Sequence, residues 1–241
     1  MEEVNELIKD KMDIIQNNNF FKFGTDSVLL ANFVEVKRSD SIVDFGCGSG
    51  VIPLLLAFKK DAKNIIGLEI QDELVSLAKR NVKLNNYENV IEIKQGDFSD
   101  SRKHIKPNHF DIVVSNPPYQ KLNSGKVSEN KHKAIARHEI KASLEDLIRE
   151  ASLALKNGGK FYLVHRSKRL AECFELLAKY NLAPKRLKPI YPRKNKSSNH
   201  FLVEARLNKG IGMKLEKPIY VYKENSGEYT DEVKRMYGID E

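Results

Sequence analysis

The stretch Ile42-Val43-Asp44-Phe45-Gly46-Cys47-Gly48-Ser49-Gly50 decides the fold. A short apolar run breaks at once into a glycine-rich turn, and the apolar segment 51–59 that follows reads as a helix. Strand, glycine turn and helix in immediate succession form the opening unit of a doubly wound α/β domain, where the turn lets a ligand approach the backbone closely. The glycines stand at 46, 48 and 50, and Val51 occupies the place where a dinucleotide fingerprint requires its third glycine, which disfavours NAD. Asp44, two residues ahead of the first glycine, suits a ligand carrying an ammonium and a sulfonium rather than a pyrophosphate.

Working outward, strands are predicted at 41–45, 64–69, 90–94, 110–115 and 160–165, alternating with helices at 51–59, 72–85, 144–154 and 170–180; 187–191 and 201–207 are later strands. The helix at 72–85 places Leu74, Val75, Leu77, Ala78, Val82 and Leu84 at helical spacing toward the sheet. The expected fold is an α/β, doubly wound, Rossmann-like domain whose sheet is mostly parallel with an antiparallel edge strand. Residues 4–15 read as a helix or mixed segment, and Thr25 or Asp26 as the cap of the apolar helix after it. The chain divides into an amino-terminal segment (1–40), a catalytic core (41–207) and a carboxy-terminal extension (208–241) of one domain, with a long polar loop at 120–139.

Composition narrows the function. The 241 residues are 41% hydrophobic, enough for one buried core. Two widely separated cysteines, Cys47 and Cys173, suggest neither a disulfide framework nor a metal site, and fit a reducing, cytoplasmic compartment. The acidic amino terminus does not read as a signal peptide and no apolar run reaches membrane-spanning length, so a soluble, unprocessed monomer is expected. A formal charge of +8 favours a polyanionic partner. Its distribution says more than its total: 177–202 has no acidic residue but carries Lys179, Lys185, Arg186, Lys188, Arg193, Lys194 and Lys196 with Tyr180, Tyr191 and Phe201 interleaved, as a phosphate-contacting surface would. Lys121 and Arg137 add positive charge on the polar loop.

Chemistry concentrates at strand ends. Glu69 closes the second strand about twenty residues past the glycine turn, where a carboxylate accepts both ribose hydroxyls of a nucleoside, with Ile70 beside it. Asp97 and Phe98 follow the third strand and are candidates for the adenine amine and ring of that nucleoside. The most specific element is Asn116-Pro117-Pro118-Tyr119 after the fourth strand. Its prolines fix the backbone. Carbonyls and the Asn116 side-chain oxygen accept from both hydrogens of an amine, drawing the nitrogen lone pair out of conjugation toward an electrophile, and Tyr119 offers a face for a base turned out of its strand. Such a site needs positioning rather than a strong base. His138 and His165 are expected in structural roles.

In this order and on successive strands, Asp44–Gly50, Glu69, Asp97 and Asn116–Tyr119 resemble class I S-adenosylmethionine-dependent methyltransferases of the adenine-N6 type. The stretch Phe23-Gly24-Thr25-Asp26-Ser27-Val28-Leu29-Leu30 and Ala136-Arg137-His138-Glu139 look more closely like the bacterial tRNA(Val) adenine-N6 methyltransferases, which modify adenine 37 beside the anticodon. The resemblance implies that Lys22, Gly24, Thr25 and Asp26 contact the cofactor or close over the target base, that the cofactor's methionine end lies along Gly46, Gly48 and Gly50 near Asp44, and that tRNA is the partner. The Asn-Pro-Pro-Tyr motif also serves enzymes that methylate a protein glutamine or adenine in rRNA or DNA, because it fixes the nitrogen type and not the polymer. A non-catalytic RNA-binding protein that retains the fold is the remaining alternative.

Overall fold

The computed structural model describes residues 2–17, 23–117 and 142–239. Five parallel strands form its centre: β3 (Ser41–Phe45), β4 (Asn64–Glu69), β5 (Ile91–Gln95), β6 (Phe110–Ser115) and β7 (Leu155–Arg166). β9 (His200–Leu207) pairs antiparallel to β7, and β8 (Leu182–Tyr191) antiparallel to β9. Two short strands, β10 (Lys214–Leu215) and β11 (Ile219–Tyr220), extend β8 in parallel, giving the order β10-β8-β9-β7-β6-β3-β4-β5 with β11 also on β8. The sheet is the expected one, with a larger antiparallel and edge portion than a single strand.

Both faces of the sheet are covered, which is why β3 is buried along its whole length. One face packs against α1 (Thr25–Phe33), α2 (Val51–Lys60), α3 (Asp72–Leu84) and the short carboxy-terminal α6 (Asp231–Met236); the other packs against α4 (Leu144–Ala154) and α5 (Leu170–Lys179). Ser143 caps α4 in a reciprocal capping box with Asp146. α3 buries Val75, Leu77, Ala78 and Val82, whereas Leu84 reaches the last turn and is 43% exposed. The cap of α1 differs from expectation: Thr25 is already helical, and Gly24 precedes it without a side-chain cap bond.

Residues 4–15 correct the helical or mixed expectation. They fall in an antiparallel hairpin, β1 (Glu2–Ile8) and β2 (Met12–Asn17), that turns at Asp10 in the left-handed region. Its free edge finds hydrogen-bond partners in side chains of α3 and its carboxy-terminal cap: Asn81 accepts from Ile15 N at 2.7 Å and donates to Ile15 O at 3.1 Å, while the cap residue Asn85 donates to Asp13 O at 2.8 Å. Met12 and Ile14 are buried on the face toward the core. The extension after Asn208 supplies β10, β11 and α6, and ties back to α1 through Thr25 and Tyr229.

Candidate active site at the carboxyl edge of the sheet

Strand order reverses between β3 and β6, so their carboxyl ends open the crevice in which α/β sheets of this type bind ligands. Register places the two key segments side by side: Asp44 pairs with Val114, and Ser115 Oγ donates to Phe45 O at 2.7 Å. The glycine turn therefore leaves β3 beside the point at which Asn116 leaves β6. Gly46, Gly48 and Gly50 have φ of +75°, +55° and +87°, which side-chain-bearing residues rarely adopt. The turn is held from below, since Gly46 N and Cys47 N both donate to Leu68 O (2.8 and 3.1 Å), and from the side, since Asn81 donates to Ser49 O at 3.0 Å.

Two carboxylates lie under this turn. Glu69 is 5% exposed and accepts from Gly48 N at 2.9 Å and Gln71 N at 3.0 Å. Burial pushes its pKa up against those backbone bonds. Asp44 is fully buried, and among the described residues neither of its oxygens has a hydrogen-bond partner. Its pKa is pushed well above the ordinary carboxylate range, first by burial and then by the charge of Glu69. Two buried acids of one charge sign, with no cation ion-paired to either among the described residues, would be complemented by a cationic ligand. The space above Gly48 is open, since a Cβ added there would meet no atom within 4 Å, so the turn leaves room for a ligand beside Asp44 and Glu69. Ile70, next to Glu69, is 38% exposed.

The other expected cofactor residues take definite places. Asp97 caps the 3-10 turn Phe98–Lys103 by accepting from Ser99 N at 2.8 Å, which uses one oxygen expected for an adenine amine. That turn is anchored by buried Glu150, which accepts from Ser101 Oγ at 2.7 Å. The Phe98 ring stacks on Phe45 at 5.8 Å and 8° and borders Gly46. Gly24 and Thr25 open α1, where Thr25 Oγ1 shares a 3.0 Å hydrogen bond with Tyr229 OH. Asp26 lies 3.9 Å from His200, whose pKa burial lowers. Asn116 Nδ2 donates to Ser27 Oγ at 2.9 Å. Pro117 is the last residue of the motif within the described residues; Lys22, Pro118, Tyr119, Lys121, Arg137 and His138 lie outside them. His165 is structural: it is buried, accepts from Arg166 N at 2.8 Å, stacks on Phe201, and has its pKa lowered to about 4 by burial.

The basic stretch divides. Arg186 is the correction: its Nη1 meets Glu35 at 2.8 Å and Glu204 at 3.0 Å, its Nε meets Glu216 at 2.6 Å, and its guanidinium lies over the Phe33 ring at 4.3 Å. Three carboxylates neutralise it, so it leaves the phosphate-contacting set. Lys188 pairs with Glu232 at 3.4 Å, Lys185 donates to Gly210 O, and Arg193 donates to Ser226 O at 3.0 Å. Lys194 and Lys196 stand exposed in the turn between β8 and β9, at the same edge of the sheet as Asn116.

Residues that the sequence did not single out complete the site. Ser27 and Asn81 are polar groups on otherwise apolar helix faces, which is the signal that would have found them. Gly67, paired with Asp44, has no room for a side chain, since an added Cβ would lie 2.8 Å from Cys47 Sγ and from Ile93 Cδ1.

Fold, glycine turn and paired strand-end acids together define a class I S-adenosylmethionine-dependent methyltransferase. The chain belongs to the methyltransferase small domain family, whose model matches residues 14–181. It is 32% identical over 202 residues to a protein of Porphyromonas gingivalis strain W83 named tRNA1(Val) (adenine(37)-N6)-methyltransferase, covering 81% of this chain and 78% of that one. A Christiangramia forsetii protein of the same name is 25% identical over 228 residues, 94% of this chain and 93% of its own. Among solved structures, one described as a predicted O-methyltransferase, protein Atu636 from Agrobacterium tumefaciens, superposes with a TM-score of 0.70 at 23% identity, covering 89% of this chain and 96% of that one. Pyrococcus horikoshii TYW2 in complex with MeSAdo gives 0.60 at 16% identity over 86% of this chain and 72% of its own. These structural likenesses speak for the fold.

Proposed function

We propose that this protein transfers the methyl group of S-adenosylmethionine to the exocyclic N6 of an adenine in tRNA, namely adenine 37 beside the anticodon of tRNA(Val). The observation that carries the reading is the placement of Asn116-Pro117 at the end of β6, beside the glycine turn and with the Asn116 carboxamide held at 2.9 Å by Ser27. The relatives' shared name supports the polymer and the position.

In this reading the cofactor supplies an electrophilic sulfonium methyl. Asp44 compensates the cofactor's positive charge and Glu69 holds its ribose, while Asp97, Phe98 and Ile70 border its base. Asn116 accepts from the target amine, and Pro117 and Pro118 fix the backbone whose carbonyls share that task, so that the nitrogen lone pair faces the methyl. Tyr119 stacks on the extruded adenine. Gly24, Thr25, Asp26 and Lys22 flank the cofactor's methionine end or the target base. Lys194 and Lys196 contact RNA phosphates, with Lys121, Arg137, Lys185, Lys188 and Arg193 as further contributors. The protein reads as a cytoplasmic monomer: both cysteines are free and buried, as a reducing compartment permits, and no helix among the described residues is long and apolar enough to cross a membrane.

The test is transfer of labelled methyl to bulk tRNA lacking this modification, followed by nucleoside analysis. N6-methyladenosine is the expected product. No label in tRNA, with cofactor binding confirmed, would shift the substrate to a protein glutamine or another nucleic acid. Asn116→Ala should leave cofactor affinity nearly unchanged while turnover falls by roughly 10³-fold or more, as for loss of an interaction made only along the reaction path.

A further inference from the structure

Ser27 is a polar residue in the apolar sequence of α1, 8% exposed, and a group so enclosed needs a partner. Its partner comes from 89 residues away: the hydroxyl oxygen accepts from Asn116 Nδ2 at 2.9 Å. A carboxamide whose nitrogen is held presents its oxygen on the opposite edge of the same plane. A target amine has hydrogens to donate, so the edge it must meet is the oxygen. With the amide reversed, the hydrogens of Nδ2 would face the hydrogens of the amine, donor against donor.

We infer that Ser27 is the positioning residue of the reaction: it orients the Asn116 carboxamide so that Oδ1 faces the amine being methylated. The inference deepens the proposed amine methylation and rests on it. The element bearing Ser27 is itself fixed. Thr25, two residues earlier, hydrogen-bonds Tyr229 at 3.0 Å, and Tyr229 is stacked on Tyr222 at 5.4 Å and on Tyr237 at 5.3 Å. Ser27 N donates to Gly24 O at 3.2 Å. Orientation of the reactive amide thus runs from the carboxy-terminal extension through the first turn of α1 to the end of β6.

The test compares wild type, Ser27→Ala and Ser27→Thr in single-turnover transfer with saturating tRNA and S-adenosylmethionine, alongside dissociation constants for both. Ser27→Ala should slow transfer by roughly 10- to 100-fold while both dissociation constants stay within about twofold, the signature of misorientation rather than lost binding. Ser27→Thr, which keeps the hydroxyl, should recover most of the rate. In the same proteins, the ¹⁵N side-chain amide signal of Asn116, assigned by its disappearance in Asn116→Ala, should move in Ser27→Ala and stay near its wild-type position in Ser27→Thr. An unchanged rate in Ser27→Ala overturns the inference. So does a rate that falls in step with binding and melting temperature in both variants, because that marks a purely structural serine. A wild type that methylates no tRNA overturns the tRNA reading instead, and the Asn116 signal then decides on Ser27: unmoved in Ser27→Ala, it sinks the inference.

Discussion

Two carboxylates of this protein are equally buried and differently treated. Glu204, on β9, is fully enclosed and meets Arg186 at 3.0 Å and Arg206 at 2.8 Å; Arg186 is shared with Glu35 and Glu216 and roofed by Phe33. Asp44, on β3, is as deeply enclosed, yet among the described residues it has no partner and its strongest electrostatic neighbour is another acid, Glu69. Burying a charge without compensation is expensive, so both arrangements demand a reason. At β9 compensation comes from within and the result is structure. At β3 none comes from the described residues, and in the proposed function the same kind of residue takes a cation from outside.

The largest effect should follow from breaking the satisfied network. Arg186→Met keeps the aliphatic stem over Phe33 but strips Glu204, Glu35 and Glu216 of their shared cation. Removing one partner of a buried ion pair costs roughly 3–5 kcal/mol, and Arg206 at Glu204 should hold the loss toward the lower figure. Chemical denaturation would read it as a lower midpoint at unchanged slope, with cofactor affinity of the folded protein intact. A midpoint at the wild-type value would mean that the network is decorative, and the contrast with Asp44 would collapse.

Asp44→Asn should act with the opposite sign. Because the folded-state pKa of Asp44 is raised, its favourable contribution is fully present below the ordinary carboxylate value near 3.8 and is lost as pH rises through the raised value. A neutral isostere escapes that loss. The ligand-free variant should be more stable by about 1–2 kcal/mol at neutral pH, with the gain vanishing in acid, while affinity for S-adenosylmethionine drops about tenfold or more. Calorimetry in buffers of different ionisation enthalpy should also find that wild type releases a proton on binding the cation at pH below the raised pKa, and that Asp44→Asn does not. Equal loss of stability and affinity would make Asp44 a structural acid like Glu204.

The contrast also marks what sequence could reveal. The alternation of strands and helices from 41 to 180 was legible because each buried strand and each amphipathic helix carries its own periodicity. Gly46 and Asn116 stood out as candidates because they open a glycine-rich or proline-rich turn at a strand end, Asp44 because it lies two residues ahead of that glycine, and Glu69 because an acid closes the next strand about twenty residues on. The hairpin at β1 and β2 was not, because its edge is completed by Asn81 and Asn85, some 66 to 72 residues away, and local spacing in 4–15 does not contain that pairing. Nor was the fate of Arg186 legible. In sequence it sits in a run of seven cations without an acid between 177 and 202, and the acids that neutralise it arrive from 35, 204 and 216. Ser27 could be seen as an anomaly in α1, but only the fold brings Asn116 to it.

The smallest effect sharpens the comparison at the surface. Lys194 and Lys196 are exposed, and among the described residues no carboxylate pairs with either, whereas Arg186 has its charge answered three times. A phosphate contact releases condensed counterions only if the cation is not already paired within the protein. The double variant Lys194→Gln with Lys196→Gln should therefore flatten the dependence of log tRNA affinity on log salt by about 1.5 to 2 units. Binding should weaken across tRNA species alike, and single-turnover transfer at saturation should stay unchanged, since neither residue reaches the reacting atoms. Arg186→Met, measured under conditions where it is folded, should leave that slope alone. If it flattened the slope as much as the lysine pair does, Arg186 would have to leave its carboxylates to meet RNA, and the boundary drawn between internally and externally compensated charge would move from the structure to the complex.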